Sequence, residues 1–212
     1  MVIKKLVAYS LVAGLGWAGI GVSTGASAAV IEGDAVAGQG KITLCTACHG
    51  TNGIGIAPNY AHLAGQGEGY LIKQISDIKA GRRVVLEMTG MTDNLSPQDI
   101  ADIAAHYASQ PKPTGQADES SVAIAEQIYR WGNSKKGIPA CAGCHSPTGS
   151  GNAPAKFPML SGQTPNYLAK QLRDFREGVR MNDGDSRIMR DVAEKLSNKE
   201  IDALSSYISG LR

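Results

Sequence analysis

The chain has 212 residues, of which 42% are hydrophobic, 5% aromatic and 19% charged. This balance is typical of a folded protein and excludes a disordered chain. The length allows one large domain or two small ones, because domains cluster near about 100–150 residues. With only two Phe and two Trp, large side chains are scarce, so we expect something other than protein to help fill the core.

The N-terminal segment has the pattern of an export signal. Lys4 and Lys5 precede the apolar stretch Leu6–Ile20, and residues 26–28 supply a small-x-small cleavage site, which predicts a secretory signal peptide over residues 1–28. The alternative is a retained membrane anchor, because the longer stretch Leu6–Val22 approaches the roughly 20 residues that span a bilayer. Without the signal the chain carries 19 basic and 19 acidic residues. This neutrality excludes a typical nucleic-acid-binding protein.

All four cysteines fall in two copies of one pentapeptide, Cys45-Thr46-Ala47-Cys48-His49 and Cys141-Ala142-Gly143-Cys144-His145. Cys-x-x-Cys-His is the attachment signature of c-type haem. The two thiols add across the porphyrin vinyl groups, and the adjacent histidine becomes the proximal iron ligand. A thioredoxin-like redox pair or a four-cysteine zinc site would not explain both histidines. The sequence therefore predicts two covalently bound haem c groups, attached at Cys45, Cys48, Cys141 and Cys144 and ligated by His49 and His145.

Self-similarity extends well beyond the haem motifs. The pentapeptides are 96 residues apart, Leu63–Gln66 recurs 97 residues later as Leu160–Gln163, and Leu95-Ser96 recurs 101 residues later. Such a repeat predicts two copies of one domain with small loop insertions.

The boundary between the copies is marked by the proline-containing stretch 110–115, which is extended and unable to continue a helix. We predict the first domain over residues 29–110, a linker over 111–117 and the second domain over 118–212.

Each copy predicts helices joined by long loops. The first helix is expected at about Asp34–Cys48 and the middle helix at Glu68–Ala80, matched by Pro165–Gly178. Ser96 predicts the N-cap of the last helix of the first copy, and Ser197 begins a capping box in the second. Apolar residues share one face of these last helices: Ile100, Ile103, Ala104, Tyr107, Ile201, Leu204 and Ile208. No segment alternates with the period of a strand, so the predicted fold class is all-α.

A second axial ligand is needed to keep each iron six-coordinate, and thioether sulfur from methionine is a common choice. Met88 and Met189 each lie seven residues before the repeated Leu-Ser pair, whereas Met91 and Met181 have no counterparts at their positions. We therefore predict Met88 and Met189 as the ligands; the alternative is that they only fill the core.

Three further residues, His62, Met159 and His106, are weaker candidates for the axial ligand. His62 and Met159 occupy equivalent repeat positions but follow the haem motif too closely to reach the far face of the haem. His106 takes the place of Tyr207 on an amphipathic helix, which indicates a packed or surface imidazole.

Pro58 and Pro154 each stand nine residues after a proximal histidine. A metal-bound imidazole normally donates its other N–H to an acceptor in the protein. A backbone carbonyl on a proline-stiffened loop would suit this role, but an ordinary loop-shaping proline explains the sequence equally well.

The chain resembles the dihaem cytochrome c4 family over essentially the whole mature length. The resemblance rests on the two haem motifs, the repeated Leu63–Gln66 segment, residues 87–91, and the run from Asp174 through residues 182–185 to Met189. It implies two class I cytochrome c folds packed face to face, histidine and methionine at both irons, and Pro58 and Pro154 as carbonyl partners of the histidines. His106 departs from the family pattern, where an aromatic residue is more frequent.

The resemblance also implies a function. It predicts a periplasmic, non-catalytic electron shuttle in a bacterium, with a membrane cytochrome complex as donor, a terminal oxidase as acceptor, and peripheral association with the inner membrane. Two alternatives remain: a dihaem peroxidase, and a dedicated haem subunit of a dehydrogenase complex.

The two halves differ in charge. Residues 29–117 carry 6 basic and 8 acidic side chains, and residues 118–212 carry 13 and 11. We expect an acidic first domain, presenting Glu68, Asp77, Glu87 and Asp93, and a basic second domain, in which arginines surround the second haem loop and serve in part its propionates. These arginines are Arg173, Arg176, Arg180, Arg187 and Arg190. Unequal environments predict unequal potentials for the two haems.

Overall fold

The computed structural model describes residues 31–212, which form one compact unit. The predicted signal peptide, residues 1–28, lies outside the described residues. Within 31–212 all regular structure is helical, apart from two isolated β-bridges at Asn133–Ile138 and Asn152–Phe157. The all-α prediction is confirmed. No helix in this part of the chain is long and apolar enough to cross a membrane.

The first half contains four α-helices and one short 3₁₀ helix. In chain order they are α1 (Ala35–Gln39), α2 (Thr43–His49), α3 (Glu68–Lys79), the 3₁₀ helix Leu86–Met88 and α4 (Pro97–Ala108).

The described second half contains five α-helices. They are α5 (Glu119–Trp131), α6 (Ala142–His145), α7 (Pro165–Arg176), α8 (Ile188–Ala193) and α9 (Asn198–Ser209). Residues 111–118, between α4 and α5, are not helical. We propose 111–117 as the linker between domains 29–110 and 118–212.

The prediction of one helix from Asp34 to Cys48 is wrong, because the chain breaks between α1 and α2. Gly40 closes α1, its N–H donating to the carbonyl of Ala37 at 3.2 Å. Two glycines within three residues lower the helical propensity of this stretch. One of them, Gly38, lets α1 approach α4 closely: a Cβ there would lie 2.1 Å from the carbonyl oxygen of Asp102. Close packing and a turn thus replace a continuous helix.

The other helix starts follow local sequence signals. The predicted N-cap at Ser96 and capping box at Ser197 are confirmed, and the residue at N3, Asp99 or Glu200, reaches back to each N-cap backbone N–H. Helices α3 and α7 begin where predicted and end one and two residues earlier. These agreements follow because caps are satisfied by neighbouring residues alone.

Two apolar clusters form the core. Helix α4 packs on α1 and α3, and α9 packs on α5 and α7. The seven predicted inward-facing residues of α4 and α9 are all buried. Burial of α4 extends further than one face, to Ala101, Asp102, Ala105 and His106. Helix α4 is therefore enclosed nearly all round.

Candidate haem centres

The first centre is built on α2, which carries Cys45, Cys48 and His49. Residues three apart lie on the same side of a helix, so the two sulfurs face one way. His49 Nδ1 lies 2.9 Å from the carbonyl oxygen of Ala61. A carbonyl can only accept, so Nδ1 carries the proton and Nε2 keeps its lone pair for a metal. Burial lowers the pKa of His49, which favours the neutral ring that binds iron.

The second centre repeats this arrangement. His145 ends α6 and is buried, with Nδ1 at 3.0 Å from the carbonyl oxygen of Pro158. Burial lowers the pKa of His145 and raises the pKa of the Cys141 thiol to about 11. The four sulfurs of the two motifs form no disulfide within the described chain. Each motif thus offers two thiols and one neutral imidazole.

Pro58 and Pro154 are not the partners of the histidines, so that expectation is wrong. The acceptors are the carbonyls of Ala61 and Pro158, three and four residues further along. The carbonyl of Pro58 instead accepts from Thr164 Oγ1 at 2.6 Å. A proline fixes its own φ but not the direction in which a carbonyl several residues away points. The signal available in the sequence was the adjoining repeat, because Ala61 and Pro158 are 97 residues apart, as are the Leu63–Gln66 segment and its copy.

A cavity of about 830 Å³ opens beside His145 and Cys144. Leu168, Phe175 and Met189 are among its many apolar lining residues. Ligand pockets measure about 300–1,000 Å³ and are mainly apolar, so a porphyrin fits this site in size and chemistry. The structure thus brings the predicted proximal histidine and the predicted methionine of the second domain to one cavity.

At the first centre, the evidence for a bound group is an unpaired buried hydroxyl near Cys45. Tyr107 is completely buried, and its hydroxyl has no hydrogen-bond partner within residues 31–212. It belongs to the apolar cluster on which Cys45 packs. Burial raises the pKa of Tyr107, with Cys45 as a smaller contributor. An unpaired polar atom beside a haem-attachment cysteine fits a site that a further group completes.

The methionine side chains differ in their exposure to solvent. Met88, at the end of the 3₁₀ helix, and Met189, the second residue of α8, are half-buried. Met91 and Met181 are exposed, whereas Met159 is buried. The choice of Met88 and Met189 as ligands stays a prediction.

Each of the remaining histidines has a backbone partner at Nδ1, whereas the buried Nε2 of His106 has no partner within the described residues. His62 Nδ1 accepts from the backbone N–H of Gly55 at 2.9 Å, and burial lowers the pKa of His62. His106 is buried, with Nδ1 at 3.3 Å from the carbonyl oxygen of Ala35 and its ring 5.3 Å from that of Tyr107. His106 is therefore packed and does not lie on the surface.

A polar network with pseudo-twofold symmetry joins the two domains. Arg83 donates to Gln74 and across the interface to Tyr167 and Gln171; Arg180 donates to Gln171 and across to Tyr70 and Gln74. The members of each pair are 97 residues apart. Both arginines also line the large cavity. Arg180 therefore lies buried at the interface and not on an exposed basic face.

Asp77 is also buried, so its expected place on an acidic surface is wrong. Its carboxylate accepts from Lys73 at 2.5 Å, from Arg82 at 2.8 Å and from Asn182 of the second domain at 2.8 Å. A buried carboxylate needs such partners, and one of these three, Asn182, lies 105 residues away in the sequence.

Several of the other predicted arginines are paired with acids. Arg190 contacts Asp183 at 2.7 Å, and Arg187 contacts Asp191 at 3.2 Å. The basic character of the second domain is thus partly offset where it was expected to be strongest.

Comparison with known proteins assigns these features to a class. Residues 35–111 and 133–212 each match the model of the Cytochrome c family. Two tandem cytochrome c domains, each with one haem motif, define a dihaem c-type cytochrome. The fold therefore carries two covalently bound haem c groups.

Individual relatives identify the family within this class. Cytochrome c4 of Pseudomonas aeruginosa is 60% identical over 179 residues, covering 84% of this chain and 89% of the relative. The crystal structure of reduced recombinant cytochrome c4 from Pseudomonas stutzeri is 57% identical, with a TM-score of 0.83 over 85% of this chain and 100% of that one. A thiosulfate dehydrogenase electron acceptor of Stutzerimonas stutzeri is 32% identical over 171 residues, covering 79% and 78%. The chain belongs to the cytochrome c4 family, whose members are electron carriers and not enzymes.

Proposed function

We propose that this chain carries single electrons between respiratory partners in the bacterial periplasm, from a membrane cytochrome complex to a terminal oxidase, with peripheral association with the inner membrane. When bound, each haem supplies a one-electron ferrous–ferric couple. The observation that carries the proposal is the repeated geometry of the half-buried His49 and the buried His145, each with Nδ1 bound to a backbone carbonyl and Nε2 left for iron.

The residues that would hold the groups follow from this geometry. Cys45 and Cys48 would attach the first haem, and Cys141 and Cys144 the second. The thioethers of Met88 and Met189 would close the sixth positions, so that no site remains for a substrate. A closed coordination sphere suits electron transfer and opposes peroxidase chemistry, which needs an open position at the iron.

The proposed compartment depends on residues 1–28. A cleaved signal peptide would deliver the chain to an oxidising compartment, where the cysteines meet haem.

A second candidate function is electron acceptor of a dehydrogenase. It is favoured by the relative named as a thiosulfate dehydrogenase electron acceptor. The same haem chemistry serves both roles, and they differ in the donor. Stopped-flow reduction of the oxidised protein by a purified thiosulfate dehydrogenase, compared with reduction by a membrane cytochrome complex, separates them: the faster donor at equal concentration marks the role.

The test of the ligand set is Met88→Ala and Met189→Ala, each studied by absorption spectroscopy and redox titration. Each change should remove the sulfur-to-iron band of one haem and lower the potential of that haem alone. Met91→Ala and Met181→Ala are the matched controls, since both of these side chains are exposed. Unchanged spectra in both test variants would contradict the assignment.

A further inference from the structure

Two buried glutamines from the repeated Leu-x-Gly-Gln segment each reach into the other domain. Gln163 Oε1 accepts from the backbone N–H of His62 at 2.8 Å, and Gln163 Nε2 donates to the carbonyl of His62 at 2.9 Å. Gln66 makes the same pair of bonds to Met159, at 2.8 and 2.9 Å. The two side chains therefore form a reciprocal clasp, one glutamine for each domain.

The clasp ends on the peptide groups that bind the proximal histidines. The N–H of His62 and the carbonyl of Ala61 belong to one peptide group, and that carbonyl lies 2.9 Å from His49 Nδ1. The N–H of Met159 and the carbonyl of Pro158 likewise form one peptide group, 3.0 Å from His145 Nδ1. A continuous hydrogen-bonded chain thus runs from the glutamine of one domain, through one peptide, to the imidazole of the other.

Local structure holds each glutamine in this position. Gln66 Oε1 also accepts from the N–H of Gly67 at 2.9 Å, and Gln163 Oε1 accepts from the N–H of Thr164 at 3.0 Å. The preceding residue of the motif, Gly65 or Gly162, has a positive φ of 66° or 73°, a conformation that favours glycine. The clasp is therefore preorganised by the motif itself.

When the N–H of a peptide group donates a hydrogen bond, the carbonyl of that group becomes more polarised, and linked bonds strengthen one another by roughly 10–30% each. A stronger acceptor for the imidazole N–H raises the basicity of a metal-bound histidine. A more basic ligand stabilises ferric over ferrous iron and lowers the potential.

We infer that Gln163 and Gln66 are positioning residues that set the axial histidine, and with it the potential, of the haem in the opposite domain. Gln163 of the second domain acts on the first haem, and Gln66 of the first domain acts on the second. The inference rests on the proposed role of His49 and His145 as iron ligands. Under this inference, residues at the domain interface surround the ligands of each haem, so residues of both domains determine each potential.

The experiment is a site-resolved redox titration of the haem-loaded protein, in which the haem methyl signals of each domain are followed by NMR. Gln163→Met should raise the ferrous-to-ferric ratio of the first-domain haem about threefold at fixed ambient potential, or about 28 mV at 59 mV per tenfold for one electron. The potential of the second-domain haem should not change. Gln66→Met should raise the potential of the second-domain haem and leave that of the first-domain haem unchanged.

Three comparisons separate this role from general support of the interface. Gln163→Glu keeps an oxygen that accepts from the His62 N–H, so the first-domain potential should stay at or below that of the unmodified protein. Thr164→Val removes a neighbouring interdomain bond, to Pro58, and should shift neither potential. Hydrogen exchange of the His62 amide should accelerate in Gln163→Met and not in Gln163→Glu.

Opposite results would overturn the inference: a shift in the mutated domain's own haem, equal shifts in both haems, or faster amide exchange with no shift in either. If Gln163→Met fails to fold, a raised first-domain potential in Gln163→Glu would overturn it alone. The ferric spectrum of the unmodified protein reports separately on the proposed function, because it shows whether both irons have histidine and methionine ligands.

Discussion

Gly38 lies where α1 crosses α4, and we predict that Gly38→Ala destabilises the protein although alanine is the better helix former. A Cβ at Gly38 would lie 2.1 Å from the carbonyl oxygen of Asp102 and 2.8 Å from the Cβ of His106. Ordinary contact begins near 3.4 Å, so the helices would have to separate by about 1.3 Å.

The magnitude follows from two opposing effects. Replacing glycine by alanine inside a helix gains about 1 kcal/mol. Overpacking costs about 1–3 kcal/mol, and the upper end applies because the atom met at Gly38 is a backbone carbonyl and not a flexible side chain. The free energy of unfolding should therefore fall by about 2 kcal/mol.

The assay is guanidinium unfolding of the haem-loaded protein, followed by circular dichroism, with Gly40→Ala as the matched control. Gly40 has a φ of −73°, and the nearest atom to an added Cβ is 3.5 Å away. Alanine fits there and should stabilise by about 0.4–1 kcal/mol, through the unfolded state. If Gly38→Ala were as stable as Gly40→Ala, the close approach of α1 and α4 would be refuted.

Three further predictions address charges and buried hydrogen bonds. The pKa of Asp102 is lowered from 3.8 to about 2 by hydrogen bonds from a backbone N–H, a lysine and a glutamine. Its contribution to the free energy of unfolding is therefore complete above about pH 4 and is lost as pH falls towards 2. Asp102→Asn should make the stability measured by urea unfolding depend less on pH across this range. Tyr129 is fully buried and its hydroxyl donates to the carbonyl of Ser146 at 2.7 Å, so Tyr129→Phe should cost about 1 kcal/mol in denaturant unfolding, and an unchanged midpoint would contradict this bond. Arg180 is buried in the interface network, so Arg180→Met should lower the free energy of unfolding by about 2–4 kcal/mol. Arg187 forms an exposed ion pair, so Arg187→Met should change it by no more than about 0.5 kcal/mol. Equal effects of the two changes in thermal melts would refute the buried network.

Features that depend on neighbouring residues could be predicted from the sequence. The caps at Ser96 and Ser197 need only residues within one turn, and the inward faces of α4 and α9 follow from helical periodicity. The covalent haem chemistry was equally local, because thiols and histidine share one pentapeptide. Family comparison confirms the two haem c groups.

Features that depend on the path of a loop or on the second domain could not be predicted. The acceptors for the histidines are Ala61 and Pro158 because of where the loops turn, and the prolines did not reveal this. The sequence does not indicate that Asp77 is buried, because Asn182, its partner in the second domain, lies 105 residues away. Gln66 and Gln163 were visible as a repeat, but only the structure shows that each bonds to the other domain.

The most direct test of the central claim is the ferric absorption and electron paramagnetic resonance spectrum of the intact protein. If His49 with Met88, and His145 with Met189, close the two irons, both should be low-spin. The sulfur-to-iron band should have the intensity of two haems, and added peroxide should leave it unchanged. High-spin iron in either domain, together with consumption of peroxide, would contradict the account and favour an enzyme.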